Sequence, residues 1–505
     1  MALATGLLAA AALPPIGLVV FLVPAFSILL WLIKGNGVRA ALVHGWWFGL
    51  GFFSAGFYWI GNAFFIDAER YGWLAPFAVI GIASIMALYT ALATGITKFF
   101  SLRLKLVDWG QALCLSIFWT FTEYLRAELL TGLPWNLIGS VWVISDIMLQ
   151  GAAWIGVFGL SMITVAAATL PSVLASKGGA PQKKWFIALS GIILITLMAG
   201  AGTLRLINAK TSKVEDVQLR LVQPNIPQHL KWHPDMRLNH VHKQLTMSQQ
   251  PTKTDKVPTH VIWPETAIPY NLTADPSLQK LIGSAAPEHG LIIAGAPRGE
   301  GKPGPRQKLW NSVHAISPKG VIVGTYDKKH LVPFGEYVPM RNLLKFSKLT
   351  AGRLDFLPGS GPRVLNLPGL PPVAILICYE VIFPDETPGF TSETPRPNWL
   401  LNITNDAWFG NSAGPHQHLA AARLRAVEHG LPLVRVANTG ISAIIDPYGR
   451  IIEALGLGQS GVIDLGLPTA LEPTIFSRIH SIIPWSLTLL GLIFSATFGR
   501  CTRPS

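Results

Sequence analysis

Charge is scarce in this chain of 505 residues: Asp, Glu, Lys and Arg make up 13% of it while hydrophobic residues make up 50%, a balance that excludes an ordinary soluble enzyme. Cysteine is scarcer still, at three residues, which excludes a disulfide framework. Cys114 falls in an apolar run and Cys501 in the tail, so Cys378 is the thiol of the polar part of the chain. No Walker-type or dinucleotide-binding glycine run and no zinc-ligand spacing occurs, and the expectation is an enzyme with no cofactor and no metal. His416 and His418 flank Gln417 too closely for the usual helical metal pair and fit a loop or helix start better. Acidic residues number 27 against 40 basic ones, a formal charge of +13. With no zinc-finger, helix-turn-helix or RNA-motif signature beside it, that charge does not point to nucleic acid.

What the chain has in abundance is long apolar runs. Crossing a bilayer core takes roughly 20 apolar residues, and runs of about that length cover residues 15–33, 41–65, 72–100, 109–130, 148–176, 184–204 and 481–498, with a shorter run at 3–13 before Pro14-Pro15. The short run resembles a signal-peptide core, but no basic region precedes it and a span follows at once, so cleavage is not expected. The runs predict about seven helices over 1–204 and one over 481–505, with a polar segment, 205–480, between them. Lys34 and Arg39 lie in one inter-span loop, Lys98, Arg103 and Lys105 in another, Lys177, Lys183 and Lys184 in a third, and Arg500 and Arg503 after the last span. Positively charged loops stay cytoplasmic. By parity the polar segment lies on the outer side, and much of the net charge is topological. Tyr124, Arg126 and Glu128, in the apolar 109–142 region, are expected at the interface or along a lipid entrance.

The polar segment alternates apolar, β-branched runs with helix-compatible ones. Val217–Val222, His260–Pro264, Gly290–Ala296, Ser312–Thr325, Val373–Ile377, Trp399–Ile403 and Leu433–Asp446 predict strands, and Gln417–His429 a helix. The pattern fits a layered α/β domain. Glu265 follows one such run, Lys328 another, and Cys378 a third. Singly, each has an ordinary explanation: a helix cap, a solvated amine, a small core residue. Together, at strand ends that an α/β sheet gathers into one crevice, they supply a base, a cation and a nucleophile. Cysteine is an effective covalent catalyst when a neighbour takes its proton or stabilises its thiolate. Enclosure would raise the Glu265 pKa toward a useful range, and a cationic Lys328 would stabilise an oxyanion.

The ordered set Trp263-Pro264-Glu265, Tyr326-x-Lys328-x-x-Leu331 and Cys378-Tyr379-Glu380 resembles the carbon-nitrogen hydrolase (nitrilase) superfamily. The runs Gln223 to Gln228 with Lys231-Trp232, Leu331 to Glu336, Asn402 to Gly410 and Arg435 to Gly440, together with the membrane spans, narrow the resemblance to its apolipoprotein N-acyltransferase branch. The fold so implied is a multi-pass α-helical membrane domain plus an α/β nitrilase-like αββα sandwich. The activity implied is transfer of an acyl group from a membrane phospholipid, through a Cys378 thioester, to the α-amine of a diacylglyceryl-cysteine on an apolipoprotein, the last step of bacterial lipoprotein maturation. The implied location is the bacterial inner membrane, with the catalytic domain periplasmic. The resemblance also assigns supporting positions: Glu336 and Glu380 as acidic residues around Glu265, Lys328 and Cys378, and Trp232, Asn311 and Tyr379 as surroundings of the site.

Taken from the residues alone, Glu336 or Glu380 could hold Lys328 charged and in place. Trp232 suits a bilayer-interface anchor as well as a substrate contact, and Asn311, at a strand start, suits a turn. Phe334–Phe356 mixes Tyr337, Val338, Leu343, Leu344, Phe346 and Leu349 with Arg341, Lys345 and Lys348, as an arm over the site against anionic headgroups or an amphipathic helix on the sandwich would. Two rivals remain at this level. A membrane-tethered hydrolase would pass the acyl group to water instead of an amine. A transporter or scaffold with a degenerate domain is disfavoured by the joint presence of Glu265, Lys328 and Cys378 and by the few ionisable residues within the spans.

Overall fold

Two units divide the chain in the computed structural model, which describes all residues except 36, 177–179, 253–255, 303, 305, 340–353, 362–363, 387–395 and most of 480–505. One unit comprises 1–61, 73–209 and the residues from 474 onward; the other comprises 62–72 and 210–473.

The first unit is helical, with helices Ala2–Ala10, Leu22–Lys34, Val38–Gly56, Ala75–Leu104, Asp108–Glu128, Ala152–Thr169 and Pro181–Leu206. Among the described residues, three helical stretches are long and apolar enough to cross a membrane: Tyr58–Leu104, Ala152–Ala175 and Pro181–Leu206. Small residues let helices approach closely where no hydrophobic effect drives them together. Gly45 does this on Val38–Gly56, where a Cβ would collide with Thr94 of Ala75–Leu104. The freed contact lets Thr90 Oγ1 donate to Gly45 O at 2.9 Å and Thr94 Oγ1 to Ala41 O at 2.8 Å. Arg126 is buried and donates to the carbonyls of Leu133 and Trp135, so it folds back onto the chain that follows its own helix. The predicted span 41–65 is corrected: its α-helix ends at Gly56, and Tyr58–Asp67 is 3-10 helix. The predicted C-terminal span, Arg500, Cys501 and Arg503, and Lys177 lie outside the described residues.

The second unit holds two six-stranded sheets. One contains β1 (Lys213–Gln223), β2 (His260–Ile262), β3 (Leu291–Glu300), β4 (Lys308–Ile316), β5 (Ile322–Asp327) and β12 (Gly461–Pro468), in the order β12-β1-β2-β3-β4-β5. The other contains β6 (Val364–Leu365), β7 (Val373–Ile377), β8 (Trp399–Thr404), β9 (Leu433–Ala437), β10 (Ser442–Ile445) and β11 (Ile451–Leu455), in the order β11-β10-β9-β8-β7-β6. The central pairs β1/β2, β2/β3, β7/β8 and β8/β9 are parallel. Alternate residues of a strand face opposite sides, and here both sides are apolar. Leu219, Leu221, Ile262 and Ile293 pack between the sheets with Ile375, Ile377, Leu401, Ile403 and Val434. Their neighbours Val222, Val261, Trp263, Ile292 and Ala294 face outward against Val241, Leu245, Leu278 and Ile282 of the helices Arg237–Ser248 and Pro276–Gly283. The helix Ala413–His429 runs beside β9 and Cys378–Ile382. The result is the expected sandwich of helices, sheet, sheet and helix.

Two predicted strands are in fact hairpins. Ser312–Thr325 turns at Ser317–Gly320 between β4 and β5, and Leu433–Asp446 turns between β9 and β10. Apolar residues on both arms hide a turn this short. Because β4 is antiparallel to β3 and to β5, its beginning lies at the same sheet edge as the ends of β2 and β5.

Candidate active site

Glu265, Lys328 and Cys378 each follow a strand, β2, β5 and β7, and each is nearly sequestered from solvent, at 7%, 1% and 9% exposure. Lys328 Nζ lies 2.9 Å from Glu336 Oε2 and 3.9 Å from Glu265 Oε1. Asn311, near the start of β4, donates through Nδ2 to Glu265 Oε1 and to Glu336 Oε1, each at 2.7 Å. The turn role expected for Asn311 is therefore replaced by a bridge between two carboxylates, made possible by the antiparallel course of β4. Glu336 Oε2 also accepts from the Val332 N–H at 2.8 Å, which closes the Leu331–Glu336 loop.

The charges respond to this enclosure. Burial raises the Glu265 pKa, Lys328 lowers it and Glu336 raises it again, and the net shift is upward. Burial opposes the Lys328 charge, but Glu336 and Glu265 outweigh it and hold the ammonium protonated. Burial and the Glu265 charge push the Cys378 thiol well above its ordinary value, with Lys328 and a hydrogen bond to Thr404 acting in the opposite sense. A thiol at rest beside a carboxylate with raised proton affinity is an arrangement suited to proton transfer between them.

The backbone at Cys378 is unusual. Its φ is +50°, the left-handed region that costs a side-chain-bearing residue energy. This turn off the end of β7 keeps both Ile377 and Cys378 in the layer between the sheets, where a regular strand would send them to opposite faces. Glu380 fixes the turn: Oε2 accepts from Ile377 N at 2.7 Å, and Oε1 from Tyr326 Oη, Lys329 N and His330 N at 2.8–3.1 Å. Glu336, then, pairs with the Lys328 ammonium, while Glu380 ties the chain after Lys328 to the chain around Cys378. Tyr379 packs edge-on against Phe383 and His330. Trp232 is half-buried beside Arg237, whose Nε donates to its carbonyl at 3.1 Å. Of the predicted arm, Phe334, Tyr337 and Val338 are described; Arg341, Leu343, Leu344, Lys345, Phe346, Lys348 and Leu349 lie outside the described residues.

Two groups were given no place in the site by the sequence: His418, expected only at a loop or helix start, and Lys231. His418 is fully buried inside its helix, with Nδ1 2.9 Å from Asp406 Oδ1 and Nε2 3.1 Å from the Cys378 carbonyl. Asp406 also pairs with Arg435 at 2.6 Å; burial pushes its carboxyl up, but Arg435 and His418 prevail and hold it at about 2. Lys231, at 2% exposure, donates to the Glu265 main-chain carbonyl at 3.0 Å. A signal existed in two of the motifs: Lys231-Trp232 carries Lys231 itself, and Asn402 to Gly410 carries Asp406, the partner of His418. Gly295 of β3 supplies the space behind Glu265, since a Cβ there would sit 2.6 Å from Pro264 O and Thr266 N.

The carbon-nitrogen hydrolase family profile matches residues 219–471, and this makes the two-sheet domain a carbon-nitrogen hydrolase domain. The profile for the apolipoprotein N-acyltransferase N-terminal domain matches residues 5–170. The apolipoprotein N-acyltransferase of Rhodopseudomonas palustris is 40% identical over 95% of this chain and 91% of its own length. That of Bradyrhizobium diazoefficiens is 38% identical over 98% and 94%. Among solved structures, a carbon-nitrogen hydrolase superfamily protein from Xanthomonas campestris aligns over 58% of this chain and 100% of its own, at 18% identity and a TM-score of 0.37. The chain belongs to the apolipoprotein N-acyltransferases. It is a membrane acyltransferase of lipoprotein biosynthesis.

Proposed function

We propose that the acyl group travels through a thioester on Cys378, with Glu265 as base and Lys328 as oxyanion partner. The observation that carries this reading is the buried cluster of Glu265, Lys328 and Glu336 within electrostatic reach of a left-handed Cys378. Glu265 takes the thiol proton as sulfur attacks an ester carbonyl of a phospholipid. The oxyanion of the tetrahedral adduct faces the Lys328 ammonium, a contact whose loss typically costs about 3–4 kcal/mol. Collapse expels the lysophospholipid alkoxide, which recovers the proton from Glu265. The α-amine of a diacylated apolipoprotein then attacks the thioester carbonyl, gives its proton to Glu265, and leaves as an amide as the thiolate departs and is reprotonated.

Glu336 and Asn311 hold Lys328 and Glu265 in register, Glu380 and Tyr379 support the Cys378 turn, and Trp232 lines the approach. We assign 1–204 and 481–505 to the membrane part and 205–480 to the catalytic part, with 62–72 belonging to the α/β unit. Alternation of basic loops at Lys34 and Arg39 and at Lys98, Arg103 and Lys105 supports a periplasmic catalytic domain on a bacterial inner membrane. Both substrates carry acyl chains, so chemistry at headgroup depth accounts for the helices. Rapid mixing of the full chain with a phospholipid carrying a labelled acyl chain, without acceptor, tests the two-step course. One equivalent of lysophospholipid released in a burst supports it; release that begins only when the diacylated lipopeptide is added contradicts it.

A further inference from the structure

Lys231 is a buried cation that the reaction above does not use. It ends the short helix Gln228–Lys231, and its ammonium lies within electrostatic reach of Glu265 and Cys378. An ammonium has three donors, and its bond to the Glu265 carbonyl uses one. The turn that delivers Lys231 is anchored from the other sheet. Gln228 Oε1 accepts from Asn405 Nδ2 at 2.7 Å, Asn405 Oδ1 accepts from Asn438 Nδ2 at 2.9 Å, and Asn438 clamps both main-chain groups of Ile226. Three segments of chain thus hold one lysine against the main chain of the base.

Charge counting shows what it contributes. With the thiol neutral, Glu265 and Glu336 balance Lys328 and Lys231. Remove Lys231 and the cluster carries one net negative charge before a thiolate or oxyanion forms, and like charge disfavours both. Lys328 cannot compensate alone, because its nearer partner is Glu336.

We propose that Lys231 is a second cationic positioning residue of the acyl-transfer site, holding the Glu265 main chain and offsetting the negative charge that develops at Cys378. The inference rests on Cys378 carrying the acyl group. Burial lowers the Lys231 pKa to about 8 against the opposing pull of Glu265 and Cys378, so its charge is lost as pH rises through that value, and acylation weakens there.

The test uses full-length protein in detergent: wild type, Lys231→Met, Lys231→Arg and Cys378→Ala. The pH profiles of Cys378 alkylation by iodoacetamide and of single-turnover acylation by phospholipid are read by intact mass. Wild-type acylation should fall above about pH 8, and Lys231→Arg should lack that fall because guanidinium keeps its proton. Lys231→Met should need a higher pH for alkylation and react roughly tenfold more slowly near neutrality. Profiles of both variants that superimpose on wild type overturn the proposal. If a variant does not fold, the wild type decides: acylation flat between about pH 7 and about pH 9 overturns it equally. An acyl adduct on Cys378→Ala would instead overturn the thioester reading, so the two failures are distinct.

Discussion

Lys328 and Glu336 form the tight ion pair of the site, at 2.9 Å, while Glu265 stands 3.9 Å from the same ammonium. The nearer carboxylate neutralises the lysine and leaves the farther one available to accept a proton. Glu336→Gln should therefore slow acylation by about a hundredfold and destabilise the fold by about 3 kcal/mol, the low end for breaking a buried pair, because Glu265 remains nearby. Single-turnover acylation and the thermal unfolding midpoint measure the two effects.

Glu265→Gln should behave in the opposite way toward stability. A carboxyl whose folded pKa is raised contributes stability that is present below its unfolded value and lost as pH rises through its folded value. Once ionised, the side chain is a liability to the fold, and an amide keeps an oxygen for Asn311. The variant should be inactive yet unfold at a temperature no lower than wild type. A clearly lower midpoint would contradict the role assigned to its burial. In the wild type, acylation should decline as pH falls through the raised Glu265 value.

Asp406→Asn tests the support behind the Cys378 carbonyl. A carboxyl held at about 2 contributes stability above its unfolded value, and this is lost as pH falls from about 4 toward about 2. The variant should be less stable at neutral pH by about 2 kcal/mol or more. The gap from wild type, followed by thermal unfolding, should narrow across that acid window.

Gly295→Ala would place a Cβ 2.6 Å from the main chain on both sides of Glu265, against backbone atoms that have little room to yield. Acylation should fall at least about tenfold, while Gly81→Ala, at a position with nothing within 4 Å of the added carbon, should match wild type. Equal rates for both variants would show that the position of Glu265 is not set by β3.

Much of this site was legible because strands end visibly. Glu265, Lys328 and Cys378 each follow an apolar β-branched run, and such runs mark strand ends without any knowledge of pairing. The resemblance named Asn311, but from the residues alone it was obscured because β4 and β5 ran together as one strand, and its place at the active edge depends on a reversal hidden at Ser317–Gly320. The roles of Lys231 and His418, both named in the sequence, were hidden for a different reason. A lysine in a short polar helix and a histidine in an Ala-rich one are ordinary locally, and only hydrogen bonds spanning 34 and 40 residues make them part of the site. Apolarity also overran geometry at residues 41–65: the α-helix stops at Gly56, and 62–72 belong with the α/β unit, where Asn62 Nδ2 donates to Phe409 O at 2.6 Å.

The central claim is a covalent acyl-enzyme on Cys378, and intact-mass measurement tests it most directly. Wild type and Cys378→Ala are incubated with phospholipid, then given a diacylated lipopeptide with a free α-amine. A single acyl mass increment on wild type, absent from Cys378→Ala and transferred to the peptide amine on addition, is the predicted result. N-acylated peptide formed at the wild-type rate by Cys378→Ala would contradict the account.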